Sequence, residues 1–363
     1  MRRIHFNICF WFFLARISFV EADSLDLERA LGQAVSGENE KFQEAQAIFE
    51  ALQKQGPPSP EAFYLIGFAC MRLHLPAKAE AFLRRAKEQK FTGFEGWTSV
   101  DVLLRRVEQV SKLSPPLLDP KFNGPIAVYA SGITEWNKPV LTAIPDFIKV
   151  GHNIFGDALP SLHFYLFSDR PTYVQFYSAM FESEISTWWQ DGTGSMNIAT
   201  YCERDKDGRI SRRVGDPETV GSVLHELGHA WCSSYLMNYH NQNYHRICPP
   251  WLDEGLAEYV ASLWDRNYLT RRQRWLRQKV KNSSLPSFEE LQNSTNFFGA
   301  EADLRYWLSA CLVDRLLGSD ARLIPKVLDA LAEKRNGDSA IRAVTQKDPA
   351  TKYKELVDFL LKK

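Results

Sequence analysis

His225-Glu226-Leu227-Gly228-His229 is the stretch on which the reading of this chain turns. Residues four apart on a helix share one face, a turn apart, so His225 and His229 offer two imidazole nitrogens to a single ion. Two histidines at this spacing suit zinc, and Glu226 between them is placed to take a proton from zinc-activated water. The competing explanation is a helix with two packed histidines.

A third ligand decides between the two. One group of zinc proteases continues the motif with a glycine three residues on and a third histidine six residues on. Cys232 and Tyr235 stand there, which excludes that group. The alternative is a glutamate from a second helix. Trp251-Leu252-Asp253-Glu254-Gly255-Leu256-Ala257-Glu258-Tyr259 supplies carboxylates after Pro249-Pro250 has broken the chain and begun a new helix. This stretch resembles the Glu-zincins, and most closely the bacterial peptidase MA-like families, whose second motif reads Trp-Leu-x-Glu-Gly-x-Ala-x-Tyr.

The resemblance spans roughly residues 120–320 and implies a zinc metallopeptidase with His225, His229 and Glu254 as metal ligands and Glu226 as general base. It implies that Glu258, one turn beyond Glu254, orients the first histidine; the alternative is an ordinary solvated carboxylate. By the same resemblance Tyr306, at the start of Tyr306-Trp307-Leu308-Ser309-Ala310-Cys311-Leu312-Val313, faces the metal and donates to the oxyanion; otherwise it is a core aromatic. The strand before the metal helix is expected at the sheet edge, where its main chain pairs with extended substrate. That makes Gly194, Ser195, Met196 and Asn197 the substrate-binding candidates. They resemble the Gly-Ala-Met-Glu-Asn edge of zinc aminopeptidases, but no Glu follows Met196 to capture a substrate amino terminus, which favours an endopeptidase.

Length allows two domains within 363 residues, and the 45% hydrophobic and 24% charged fractions are those of a globular protein with a sizeable core. A net charge of zero gives no footprint for nucleic acid and no polybasic membrane patch. Met1-Arg2-Arg3, the apolar run from Ile4 to Val20 and the small residues around Ala22 read as a secretory signal over residues 1–22, so export to the periplasm or medium is expected, with an uncleaved anchor as the alternative. Of the cysteines, Cys232 and Cys248 flank the ligand-bearing elements; they either bridge them or are small buried residues.

Residues 23–115 are expected to form a tetratricopeptide-like helical domain, since residues 26–93 carry a 34-residue self-similarity: Ala45 matches Ala79 and Phe49 matches Leu83. Trp97, Val100 and Leu104 begin a capping helix. Such arrays present a concave face to a protein partner or act as a spacer. Pro115-Pro116 and Pro120 mark a linker into a peptidase domain over residues 116–363. The expected fold is therefore α+β: a helical repeat pair, then a zincin-like domain with a small mixed sheet, the metal helix and a helical carboxy-terminal part.

Within that domain, Pro125–Ala130 and Leu162–Phe167 read as strands and Pro139–Val150 and Arg170–Phe181 as helices. His163 reads as a packed histidine. Asp191-Gly192-Thr193-Gly194 is turn chemistry before a strand ending at Tyr201, and Pro217-Glu218 opens the metal helix, with His240 and His245 in the polar loop after it. Thr270–Val280 reads as a basic, solvated face, and Ser287 with Glu290 as a capping box. Two rivals to an endopeptidase remain: an aminopeptidase, and a non-hydrolytic scaffold that binds a partner through its repeats.

Overall fold

The structure is a computed structural model that describes residues 59–72, 75–94, 98–118, 125–160, 162–181, 190–191, 197–201, 217–240, 242, 244–265, 267–280, 285–293, 297, 301–318 and 320–362. The chain divides into two compact units, one ending at Lys112 and the other beginning at Leu113.

In the first unit, α1 (Pro60–Arg72) and α2 (Pro76–Glu88) fold back along each other, and α3 spans Val100–Leu113. Gly67 lets the first two meet: a Cβ there would lie 2.7 Å from Leu83 Cγ. Farther from the turn, Phe63 stacks on Phe82 at 6.5 Å. Ala79, Leu83 and Ala86 are buried, as a helix pair with small residues at its seam requires. The preceding repeat, with Ala45, Phe49 and Pro57, and the residue Trp97 lie outside the described residues, as does the signal segment.

The second unit is α+β in the broad sense, with many helices around one small sheet. Its strands are β1 (Ile126–Ala130), β2 (Leu162–Phe167), β3 (Gln190–Asp191) and β4 (Asn197–Tyr201), in the order β1-β2-β4-β3. β1, β2 and β4 are parallel, with Val128 opposite Phe164 and Phe164 opposite Ile198. Helix α4 (Lys138–Phe155) connects β1 to β2, and α5 (Arg170–Phe181) follows β2. Alternation carries the apolar residues Ile126, Val128, Leu162 and Phe164 into the core, while His163 stacks on Tyr129 at 5.6 Å, a packed histidine.

The edge expectation for the strand before the metal helix is not met. Two-residue β3 lies outside β4 and pairs with it antiparallel, Gln190 opposite Ala199 and Asp191 opposite Ile198. The turn-forming residues between these strands favour such a hairpin, and the ladder on that side of β4 is already used.

The helix that carries His225 and His229 is α6 (Pro217–His240), whose Val220, Val223, Leu224 and Leu227 are buried. It runs on to His240, which meets Asp329 at 2.8 Å instead of entering a loop. After short α7 (Tyr244–Ile247) comes α8 (Pro250–Trp264), buried on nearly all sides from Trp251 to Ala261. Then follow α9 (Tyr268–Val280), α10 (Phe288–Gln292), α11 (Ala302–Leu317), α12 (Leu323–Lys334), α13 (Gly337–Thr345) and α14 (Pro349–Leu361). Ser287 and Glu290 form the expected capping box on α10. Among the described residues, no helix is long and apolar enough to cross a membrane.

Two glycines set where α8 sits. A Cβ on Gly228 of α6 would lie 3.1 Å from the Ala257 Cα of α8, so these helices cross backbone to backbone. On the other flank of α8, a Cβ on Gly255 would meet Val313 Cγ2 at 2.6 Å and the Ser309 carbonyl oxygen at 2.9 Å, both on α11. Alanine in place of helical glycine gains about 1 kcal/mol of propensity, so a net loss measures the clash. Gly255→Ala is expected to lower stability by ~1–3 kcal/mol through overpacking, more than Gly228→Ala, because a rigid carbonyl stands in its way. Thermal or urea unfolding of the two variants checks this order.

Candidate metal centre

The crossing at Gly228 and Ala257 brings the two motifs face to face. His225 and His229 extend from α6 toward the first turns of α8, where Glu254 meets both. His225 Nε2 and His229 Nε2 are 3.1 Å apart, and each lies 3.3 Å from Glu254 Oε2. Among the described residues, these three form the one group of His, Cys, Asp and Glu side chains close enough to share an ion. A tetrahedral site with bonds of about 2.0–2.1 Å has edges of about 3.3–3.4 Å. The observed triangle is close to one face of such a tetrahedron, so the donor set fits a zinc-sized ion.

The burial of the group sharpens that fit. His229, Glu254 and Glu258 are 8%, 7% and 6% exposed. Unbalanced charges this deep are costly. Burial opposes charge on His225 more strongly than any other single influence, but the Glu254 and Glu258 carboxylates together outweigh it and raise its pKa to about 10. His229 is likewise held well above its ordinary value: burial works against the charge, and Asp253 and Glu254 prevail. Burial would raise the Glu254 carboxyl, yet the two imidazoles bring it below the ordinary value.

Behind each imidazole stands a further carboxylate from α8. Glu258 Oε1 lies 3.3 Å from His225 Nδ1, the place the sequence resemblance implies. Asp253 Oδ1 accepts from His229 Nδ1 at 2.5 Å. Asp253 fills the variable position of the second motif, so only packing reveals its partner. Carboxylates at Nδ1 keep a proton there, which leaves Nε2 as the nitrogen that becomes the electron-pair donor once its own proton is lost.

Glu226 is half-buried on α6, one residue from His225. Tyr306 sits in the first turns of α11 with its ring 6.5 Å from that of His225 and 5.6 Å from that of Phe297. Burial, then the Glu254 charge, and more weakly Glu226, push the Tyr306 pKa up, so its hydroxyl keeps its proton. Cys232 and Cys248 are buried beside Tyr244 and are not bridged; burial is the main reason their thiol pKa values are raised. Gly194, Ser195 and Met196 lie outside the described residues, and Asn197 begins β4. Compared with family models and with curated proteins, the chain matches none.

His225, raised from 6.5 to about 10, stabilises the metal-free fold fully below its unfolded pKa, and that contribution is lost as pH rises through about 10. At neutral pH an ion taken up through Nε2 must displace one proton from each imidazole. Metal uptake is therefore expected to release about two protons per ion. Calorimetry in buffers of different ionisation enthalpy measures the number, and a value near zero would show that both imidazoles are already neutral before the ion arrives.

Proposed function

We propose that this chain is a zinc-dependent metallopeptidase of the Glu-zincin type, and that its second unit has the zincin-like arrangement implied by the two motifs. The observation that carries the reading is the convergence of His225 Nε2, His229 Nε2 and Glu254 Oε2 within 3.3 Å of each other, with Glu226 on the same helix. A purely structural zinc site is closed by a fourth protein ligand and needs no adjacent carboxylate base; among the described residues three donors converge here and Glu226 adjoins them, which is why the scaffold reading is less well supported.

Three protein ligands leave a position open to water, and zinc, when bound, lowers the pKa of that water toward about 7. Glu226 accepts the proton of the attacking water and delivers it to the leaving amide nitrogen; such a positioned base is worth about 10²–10⁴-fold. Tyr306 stays protonated and so donates a hydrogen bond to the peptide oxygen as negative charge grows on it. Removing one donor of this kind costs about 3 kcal/mol in transition-state stabilisation. Asp253 and Glu258 hold the imidazoles in orientation. The segment Gly194-Ser195-Met196-Asn197 lacks a carboxylate for a substrate amino terminus, which favours internal cleavage of peptides and proteins. The amino-terminal 22 residues support export, and the helical repeats support a protein-binding or spacer role.

Glu226→Gln keeps the side chain's shape and removes its basicity. Zinc content is expected to stay near that of the unaltered protein while hydrolysis of an unstructured protein such as casein falls by at least about 10²-fold. His225→Ala and Glu254→Ala are expected to lose the metal itself. Undiminished cleavage by Glu226→Gln would overturn the mechanism. Full zinc loading of the unaltered protein with no cleavage of any peptide would favour the scaffold. Loss of cleavage on blocking the substrate's amino terminus would make it an aminopeptidase.

A further inference from the structure

The structure continues behind Glu258 into a helix to which the sequence motifs assign no chemistry. Glu258 has two carboxylate oxygens in a nearly dry environment. Oε1 faces His225 Nδ1 at 3.3 Å, and Oε2 accepts from the Tyr268 hydroxyl at 2.6 Å. A phenol has one proton to give. Arg272 Nη2 donates to the Tyr268 oxygen at 3.2 Å, so that proton is committed to Glu258. The chain of donors therefore runs one way, from Arg272 through Tyr268 to Glu258, and ends behind a metal-ligating imidazole.

Each link is held by packing as well. The guanidinium carbon of Arg272 lies 4.6 Å from the centre of the Tyr268 ring and 4.3 Å from that of Trp307. Trp307 is fixed edge-on against Trp275 at 4.1 Å. Tyr268 is 2% exposed, and its ring is seated against Gly221: a Cβ at that glycine would lie 3.1 Å from Tyr268 Cε2. Gly221 is one turn before His225 on α6, so the metal helix itself is relieved to admit the tyrosine. Trp307 follows Tyr306 directly, so the same guanidinium also rests against the turn that carries the proposed oxyanion donor. Such a clamped arginine is not the solvated basic face that the composition of Thr270–Val280 suggests.

We propose that Tyr268 and Arg272 are positioning residues of the metal centre: through Glu258 they fix the orientation of His225 and thereby the affinity of the site for zinc. The inference rests on the metal-site reading above and extends it to α9. A histidine whose rear partner can swing no longer presents its electron pair in one direction, and loss of such outer support commonly costs about 10–100-fold in metal affinity.

The test is zinc affinity, measured on the full chain by competition with a chromophoric chelator. Tyr268→Phe keeps the ring against Gly221 and removes only the hydroxyl. It is expected to weaken zinc binding by about 10–100-fold and to alter the visible spectrum of the cobalt-substituted protein. Arg272→Met is expected to weaken zinc binding in the same direction, and Arg272→Lys, which retains a donor and a charge, to recover part of the loss. Tyr353→Phe is the control, because its hydroxyl donates to the Pro286 carbonyl on another part of the unit. A merely structural role would make Tyr268→Phe and Tyr353→Phe alike, with stability lowered and zinc affinity unchanged. Zinc binding by Tyr268→Phe and Arg272→Met as tight as that of the unaltered protein would overturn the inference and leave the metal site standing. Failure of the unaltered protein to bind zinc would overturn both.

Discussion

A helix buried on nearly every side cannot carry ionised carboxylates unless something balances them. Helix α8 carries three toward α6, Asp253, Glu254 and Glu258, and the two imidazoles of α6 answer them. Each histidine has one carboxylate behind it, and both share Glu254 in front. Much of the second unit can be traced to this requirement. Small residues at the crossing bring the imidazoles near enough, Tyr268 of α9 backs Glu258, and Tyr306 of α11 lies beside His225. Removing one member leaves the others buried and unmatched, which is why the site is better described as one charged unit than as separate ligands.

The parts of this arrangement that are local in the chain are the parts that the sequence discloses. His225 and His229 are legible because helical spacing makes them neighbours whatever the rest of the protein does. The strands at Ile126–Ala130 and Leu162–Phe167 are legible because their apolar runs are short and bounded by turn residues. Glu254 is nameable only through the likeness of its surroundings to a known motif, since nothing in the spacing says that two helices cross there. Asp253 goes unread for the same reason: an acidic residue near a helix start is ordinary, and its meeting with His229 is a tertiary event. The position of β4 inside the sheet depends on a two-residue strand that carries no detectable pattern. Arg272 lies in a run of basic residues that composition assigns to solvent, and it is drawn inward between Tyr268, one turn before it, and Trp307, far along the chain.

Gly228 and Gly255 show how far side-chain absence can organise a site. Each sits where another helix's backbone needs room, and each adjoins a chemistry-bearing residue in sequence: His229 follows the first and Glu254 precedes the second. The positions of the donors are thereby tied to main-chain contacts, which yield less than side chains do. Tyr259 adds to the same fixing by donating to the Gly318 carbonyl at 2.8 Å, tying α8 to the end of α11.

The backbone crossing at Gly228 and Ala257 would also act as a gauge for the size of an ion held by the three donors. Because no side chain separates the helices there, the gap between the histidine pair and Glu254 has a fixed lower limit and little slack above it. Ions compete for nitrogen and oxygen donors by radius and preferred geometry as well as by intrinsic strength. A methyl group at the crossing would widen the gap and move its preference toward larger ions without touching a ligand. Whatever ion these donors would accept, its fit would depend partly on a glycine that is not itself a donor.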